Sequence, residues 1–190
     1  MQKNSFLFTA AMCIGVLALH GQDNKESQKL GGVRAGWHYA FLEEEGAKPD
    51  TASALNSFYV GFFRDTRIVP VLHFGSGLEY FQNGMEFPNN SSRVLHTVSI
   101  PLDLKVKLGP VFALGGIAAN FKVSEKLKID GEYVTLLDSN KTNWFDLPVF
   151  VGAGLKILFI TIEARYHWGL LEARDGLYNR YFQLGAGISF

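Results

Sequence analysis

The chain has 190 residues with 18 basic and 18 acidic side chains, so it carries neither the cationic excess that recruits nucleic acid nor an acidic tail. Charged residues make up 19% of it, against roughly 25% in ordinary soluble domains, while aromatics reach 14% and glycines number 20. Few charges with many rings and glycines describe one domain whose exterior is not all water.

The N-terminus reads as a targeting segment. In MQKNSFLFTAAMCIGVLALHG, Lys3 precedes an apolar run from Phe6 to Leu19, and the chain then turns polar. That run is short for a membrane helix and suits a secretory signal over residues 1–21, cleaved after Gly21 to leave Gln22 first. A retained N-terminal anchor is the alternative. The single cysteine, Cys13, lies inside the run behind Met12, where a lipoprotein site needs a small residue. The mature chain is therefore expected to hold no disulfide and no thiol chemistry. Residues 22–29 form a short segment before a barrel domain over 30–190.

Eight alternating segments follow. The first, Gly32 to Phe41, sets Val33, Ala35, Trp37, Tyr39 and Phe41 against Arg34, Gly36 and His38. The second covers Leu55 to Phe63. The third, Val71 to Phe81, sets Leu72, Phe74, Leu78 and Tyr80 against His73, Gly75, Gly77 and Glu79. The fourth, Val94 to Lys107, sets Val98, Ile100, Leu102, Leu104 and Val106 against Thr97, Ser99, Asp103, Lys105 and Lys107. The fifth runs from Val111 to Lys122 and the sixth from Trp144 to Lys156. The seventh, Thr161 to Trp168, sets Ile162, Ala164, Tyr166 and Trp168 against Thr161, Glu163, Arg165 and His167. The eighth, Arg180 to Phe190, keeps Phe182, Leu184, Ala186, Ile188 and Phe190 in step to the last residue. A period of two is that of a strand whose faces meet different surroundings. Pro101 and Pro148 fall inside the fourth and sixth segments. Each removes a ladder donor, so local bulges are expected there.

The connections alternate in length. EEEGAKPDTASA is long, RDTRI short, QNGMEFPNNSSR long, LGP at Leu108 to Pro110 tight, Ser124 to Asn143 longest, Ile157 to Phe159 tight and GLLEARDGLYN long. An up-and-down meander with tight turns and both termini at one end, and four free loops at the other, produces that order. The EEE at Glu43 to Glu45 reads as a solvated loop. A soluble barrel would also alternate, but with its apolar side chains inward. Here the minority face is Gly, Ser, Thr and charge, which suits a narrow interior, while Leu, Ile, Val, Phe and Trp suit lipid outside. Aromatics near strand ends, among them Trp37, Tyr39, Tyr80, Trp144, Tyr166 and Trp168, fit interfacial girdles. The fold expected is all-β, an eight-stranded antiparallel up-and-down transmembrane β-barrel, in which the last strand pairs with the first and has no edge to fray.

SIPLDLKVKLGPVFALGG (Ser99 to Gly116), LPVFVGAGLKI (Leu147 to Ile157), EARYHWGL (Glu163 to Leu170) and the terminal FQLGAGISF resemble the PorT-like family of bacterial outer-membrane β-barrels, which share their shape with the small OmpA and OmpX barrels. The resemblance spans about Leu30 to Phe190. It implies the outer membrane of a Gram-negative bacterium, periplasmic termini and Phe190 as the C-terminal signal read by the barrel-assembly machinery. It also implies contact with outer-membrane lipid and lipopolysaccharide. One namesake in that family is associated with protein secretion.

Arg34, Glu79, Asp103, Lys105, Glu163 and Arg165 fall on the expected lumen face. They read as a charge-paired structural plug, with a gate or solute conduit as the alternative. His38, His73 and His167 share that face, but a metal site would need them at one height, and none is assigned. His96 and Ser99, three apart, lie on opposite faces of one strand, so they form no catalytic pair. No catalytic set and no cofactor motif is found. The chain reads as an outer-membrane barrel with a filled lumen, serving as a structural or surface-binding envelope protein. The alternative is a component of an envelope or protein-secretion complex with envelope protein partners.

Overall fold

The computed structural model describes residues 29–44, 53–87, 91–129, 132–135, 143–174 and 177–190. The expected leader over 1–21, the segment 22–28 and Glu45 lie outside these residues. Ten strands are described: β1 (Lys29–Glu44), β2 (Ser53–Val69), β3 (Leu72–Phe87), β4 (Ser91–Leu108), β5 (Val111–Ile129), β6 (Glu132–Thr135), β7 (Phe145–Asp146), β8 (Pro148–Ile157), β9 (Ile160–Arg174) and β10 (Leu177–Ser189). Eight of them close a barrel in the order β4-β3-β2-β1-β10-β9-β8-β5, sealed by β4 against β5. Every adjacent pair is antiparallel. The small β6 continues a hairpin beyond the wall from the end of β5, and β7 is a fragment in line with β8.

One ladder row shows how the sheet closes. It runs Gly31, Arg64, Ser76, Leu102, Ile117, Val149, Trp168, Arg180 and returns to β1 at Phe41, ten residues beyond its start. A displacement of that kind is what tilts barrel strands against the axis. The turn end holds Pro70–Val71, Gly109–Pro110 and Leu158–Phe159, the start of β1 and the end of β10. Gly109 has φ 65°, which glycine adopts without a Cβ penalty.

The two faces separate as alternation requires. Val33, Val60, Phe62, Leu78, Leu102, Leu104, Ile117, Val151, Leu155, Ile162, Leu184 and Ile188 are exposed outward. So large an apolar surface has no place in water and forms a hydrocarbon-matched band. Toward the loop end the outward face carries Trp37, Tyr39, Tyr166 and Trp168, with Trp37–Tyr39 centroids 5.5 Å apart and Tyr166–Trp168 4.6 Å apart. These amphipathic rings sit where a headgroup boundary would lie.

Several expected boundaries move. RDTRI belongs to β2, and the turn is the two residues Pro70 and Val71. QNGMEF and GLLEAR are strand as well, and Glu43 and Glu44 close β1 instead of starting a loop. The strands run past the apolar band into water on both faces. Alternation fades there while hydrogen bonding to the neighbour persists. The bulges expected at Pro101 and Pro148 are also absent. Between β3 and β4 the ladder skips Gly77, Leu78, Ile100 and Pro101, yet Ser76–Leu102 and Glu79–Ser99 keep one register. Likewise Asn120–Asp146 and Ile117–Val149 keep one register across Leu147 and Pro148. A missing donor breaks the ladder, but paired strands on the other side hold both prolines in line: Pro101 against Ala118, and Pro148 against Gly169.

Candidate functional site in the barrel lumen

The lumen is stacked in layers. Nearest the turn end, Lys105 Nζ donates to Asp65 Oδ1 at 2.9 Å and Lys107 Nζ to Asp65 Oδ2 at 3.1 Å. Lys156 Nζ donates to the inward Ser189 hydroxyl at 3.3 Å. His73 is half-buried at this level.

The next layer is a closed ring of alternating charges. Arg34 Nη2 lies 2.5 Å from Glu79 Oε1, and Arg165 Nη2 donates to the same oxygen at 2.7 Å. Arg165 Nε lies 3.1 Å from Glu163 Oε1, and Arg34 Nη1 donates to that oxygen at 3.0 Å. Strands β1, β3 and β9 supply these groups, so the ring spans the barrel. Lys105 joins it to Asp103 and Glu163, each 3.9 Å away. All six residues placed on the lumen face by alternation are buried, Arg165 at 1% exposure and Glu79 at 2%. Their three positive and three negative charges balance. Rings enclose the cations: the Arg165 guanidinium lies 5.3 Å from the Tyr59 centroid, and Lys105 is 5.7 Å from both Phe63 and Phe112. Glycine makes the room. A Cβ on Gly185 would overlap the Tyr59 hydroxyl, and one on Gly154 would overlap the Phe112 ring.

Above the ring lies an aromatic layer. His38 stacks on Phe81 at 4.5 Å and leans on Tyr181 at 4.9 Å. His167 stacks between Tyr181 at 4.1 Å and Phe150 at 4.6 Å. Five rings from β1, β3, β8, β9 and β10 thus cross the lumen. His38 Nε2 is hydrogen-bonded to Asn83 Oδ1 at 2.8 Å. Among the described residues no three His, Cys, Asp or Glu side chains group to hold a metal ion.

Beyond the rings the lumen widens into a polar vestibule. Asn120 Nδ2 donates to the Tyr181 hydroxyl at 3.1 Å, and Asn179 Nδ2 donates to Asp146 Oδ2 at 3.1 Å. Asn143 Nδ2 donates to the Glu172 carbonyl at 2.5 Å. Glu125 accepts from Lys122 at 2.9 Å and pairs with Arg93. On the outer face, Arg180 Nε donates to Glu43 at 2.7 Å, so Glu43 is a paired strand residue and not a free loop acid.

His96 points outward, with its Nδ1 2.5 Å from the Tyr80 hydroxyl, while Ser99 is buried in the lumen. Phe190 follows β10, is 80% exposed and donates its backbone N–H to the Gly31 carbonyl at 2.8 Å. Sequence reasoning missed Asp65, which it read as turn, although Tyr59, Phe63 and Asp65 keep the two-residue step. It also missed the joining of His38 and His167 through Tyr181. Asp146 was missed too, although it keeps the two-residue step with Phe150 across Leu147.

Solved structures share this architecture. Ail, the attachment invasion locus protein of Yersinia pestis, solved in complex with the heparin analogue sucrose octasulfate, is similar at 16% identity with TM-score 0.50, over 85% of this chain and 99% of that one. Neisserial surface protein A, from Neisseria, is similar at 14% identity with TM-score 0.54, over 84% of this chain and 95% of that one. At such identities the likeness is one of fold. No curated protein sequence matches the chain significantly. Residues 22–173 match the outer membrane protein beta-barrel domain, and they include the wall strands β1 to β5, β8 and most of β9. A closed eight-stranded wall, an apolar outer band, a polar lumen and a family match over most of the chain all agree: this is an integral outer-membrane protein, a member of the outer membrane protein beta-barrel domain family.

Proposed function

We propose that the protein is a sealed barrel that works at its loop end. The observation that carries this reading is the ring of Arg34, Glu79, Arg165 and Glu163 lying beneath five stacked aromatic rings. A solute crossing the lumen would have to part buried ion pairs, which costs several kcal/mol by rough estimate. The six lumen charges act as a structural plug, and no catalytic residue is assigned. Both termini lie in the periplasm and the vestibule faces outside the cell. The tight turns at one end and the long loops at the other support that orientation, as in bacterial barrels generally. Lipopolysaccharide and outer-membrane lipid contact the apolar band and its aromatic girdle, and the assembly machinery reads the strand ending in Phe190. Surface binding at the outer rim is supported by the attachment role in Ail's name. Within the family, the sequence runs around Pro101, Gly152–Gly154 and Arg165–Tyr166 support a PorT-like placement.

Planar-bilayer recording tests the plug. Purified full-length protein is expected to show no stable large conductance. A steady, large single-channel current would overturn the sealed lumen.

A further inference from the structure

The apolar band of the outer wall is interrupted at one place. From Gly31 on, the described outward-facing positions between the aromatic girdle and the turns are apolar or glycine except at Arg64, Thr66 and Ser76. The three lie together. Arg64 and Ser76 are direct partners across β2 and β3, and Thr66, paired with Phe74, is the next position on the same face toward the turns. Opposed Cβ atoms of such a pair stand about 5 Å apart, so a group the size of a phosphate lies within reach of all three side chains. On its other side Arg64 faces Gly31, where a Cβ would meet nothing closer than the Phe63 carbonyl oxygen at 3.9 Å. The Arg64 side chain is exposed, and among the described residues neither it nor the two hydroxyls has an ion-pair or hydrogen-bond partner.

An arginine on a wall that meets hydrocarbon needs an anion, because charge there is most unfavourable at the midplane and tolerated only beside the headgroups. Strand β2 continues five residues past Arg64, to Val69. At ~3.3 Å per residue and a tilt of about 40° that is roughly 13 Å, a gap that the side chain shortens by snorkelling past Thr66 toward the turn-end boundary. The chain itself offers no anion on this face. Among the described residues no Asp or Glu stands outward in the band, and the neighbouring Asp65 points inward, held by Lys105 and Lys107. For the same reason a second copy packed wall to wall brings no carboxylate to this height. A small free anion does not enter hydrocarbon. What fits is an anion that arrives on its own acyl chains. The exposed Phe62, Phe74 and Leu104 flank the polar group and suit such chains.

We infer that Arg64, Thr66 and Ser76 form a phospholipid site: the phosphodiester of a glycerophospholipid in the turn-end leaflet takes the guanidinium and both hydroxyls, and its acyl chains lie on Phe62, Phe74 and Leu104. The guanidinium fork matches two phosphate oxygens, and hydrogen bonds between such charged partners are the strong ones. The orientation proposed above makes this the periplasmic leaflet, and the choice of leaflet rests on that reading.

The test uses the full chain purified in a maltoside detergent. Phosphatidylglycerol is titrated into it, and native mass spectrometry counts the lipid retained when detergent is removed in the gas phase. Retention is expected to saturate at a single phosphatidylglycerol. Arg64→Gln should weaken it about tenfold, and Thr66→Val with Ser76→Ala about threefold, with heat-modifiable migration unchanged because these side chains lie on the exposed wall. Urea unfolding gives a second reading. Arg64→Leu should lower the midpoint in phosphatidylglycerol vesicles, where a lipid contact is lost, and raise it in maltoside, where only an unmatched charge is lost. The proposal is overturned by equal retention in Arg64→Gln, by equal retention of a diacylglycerol that lacks the phosphate, by displacement of the lipid with inorganic phosphate alone, or by a raised midpoint in both media. Orientation is read separately: labelling of Val71→Cys on intact cells by a membrane-impermeant maleimide would overturn the periplasmic placement and leave the Arg64 retention result as it stands.

Discussion

In the middle of the lumen, Arg34, Glu79, Glu163 and Arg165 answer one another's charge, and the guanidinium of Arg165 lies over the rings of Tyr59 and Phe150. A few residues nearer the loops, Asn120 and Asp146 are as deeply buried but are held by amides and a hydroxyl instead of by opposite charges. Both regions hang on the same kind of strand, with polar side chains at every second position. The difference teaches that burial alone does not separate structure from function. Atoms without hydrogen-bond partners occur in both regions, Arg165 Nη1 and Asn120 Oδ1 among them, but the ring balances its charges internally, whereas Asn120 and Asp146 line a cavity of about 30 Å³.

Removing one member of the charge ring is expected to have the largest effect. Arg165→Ala leaves Glu79 and Glu163 to share Arg34, one positive charge short in a buried ring, a loss of about 3–5 kcal/mol for a broken buried pair. Urea unfolding in lipid vesicles measures it. The double change Arg165→Met with Glu79→Leu restores the charge balance, leaving Arg34 paired with Glu163, and should recover part of that loss. Equal stability of Arg165→Ala and the parent would show that the ring is not structural.

The closing seam should respond in assembly more than in stability. Deleting Phe190 removes the terminal ring and the backbone bond to Gly31. It is expected to lower the folded, heat-modifiable fraction in the outer membrane, while Ser189→Ala, which loses one hydroxyl facing Lys156, leaves that fraction nearly unchanged. Semi-native gels at matched expression compare the two. Equal fractions would remove the tail from the assembly step.

In the vestibule, Asn120→Ala forfeits a single hydrogen bond to Tyr181 and should cost only about 1 kcal/mol. A loss as large as that of Arg165→Ala would erase the distinction between the two regions. The smallest effect belongs to Trp144→Ala, expected to stay within about 0.5 kcal/mol of the parent as an exposed substitution. A strong destabilisation there would show that its ring contacts with Phe121 and Phe145 carry structural weight.

Which side chains enter the lumen was legible from alternation alone. Along one strand, parity decides the face, and that is why Arg34, Glu79, Asp103, Lys105, Glu163 and Arg165 could be placed inside, and Ile188 and Leu184 outside, from neighbouring residues only. Parity fails where both faces meet water, so the outer ends of β3 and β9 looked like loops. It holds across the interruption at Leu147, where Asp146 keeps step with Phe150 and could have been placed inside. What no local pattern contains is height. Arg34 and Glu163 are 129 residues apart and meet because closure displaces the ladder from Gly31 to Phe41 around the wall. Tertiary structure therefore decided which charges pair, that His38 and His167 share Tyr181, and that Asn120 and Asp146 open on one cavity. The sequence by itself determined the two faces and the number of crossings, because a two-residue period in a half-buried strand has one solution. Contacts across a closed barrel depend on the registers of every strand between them.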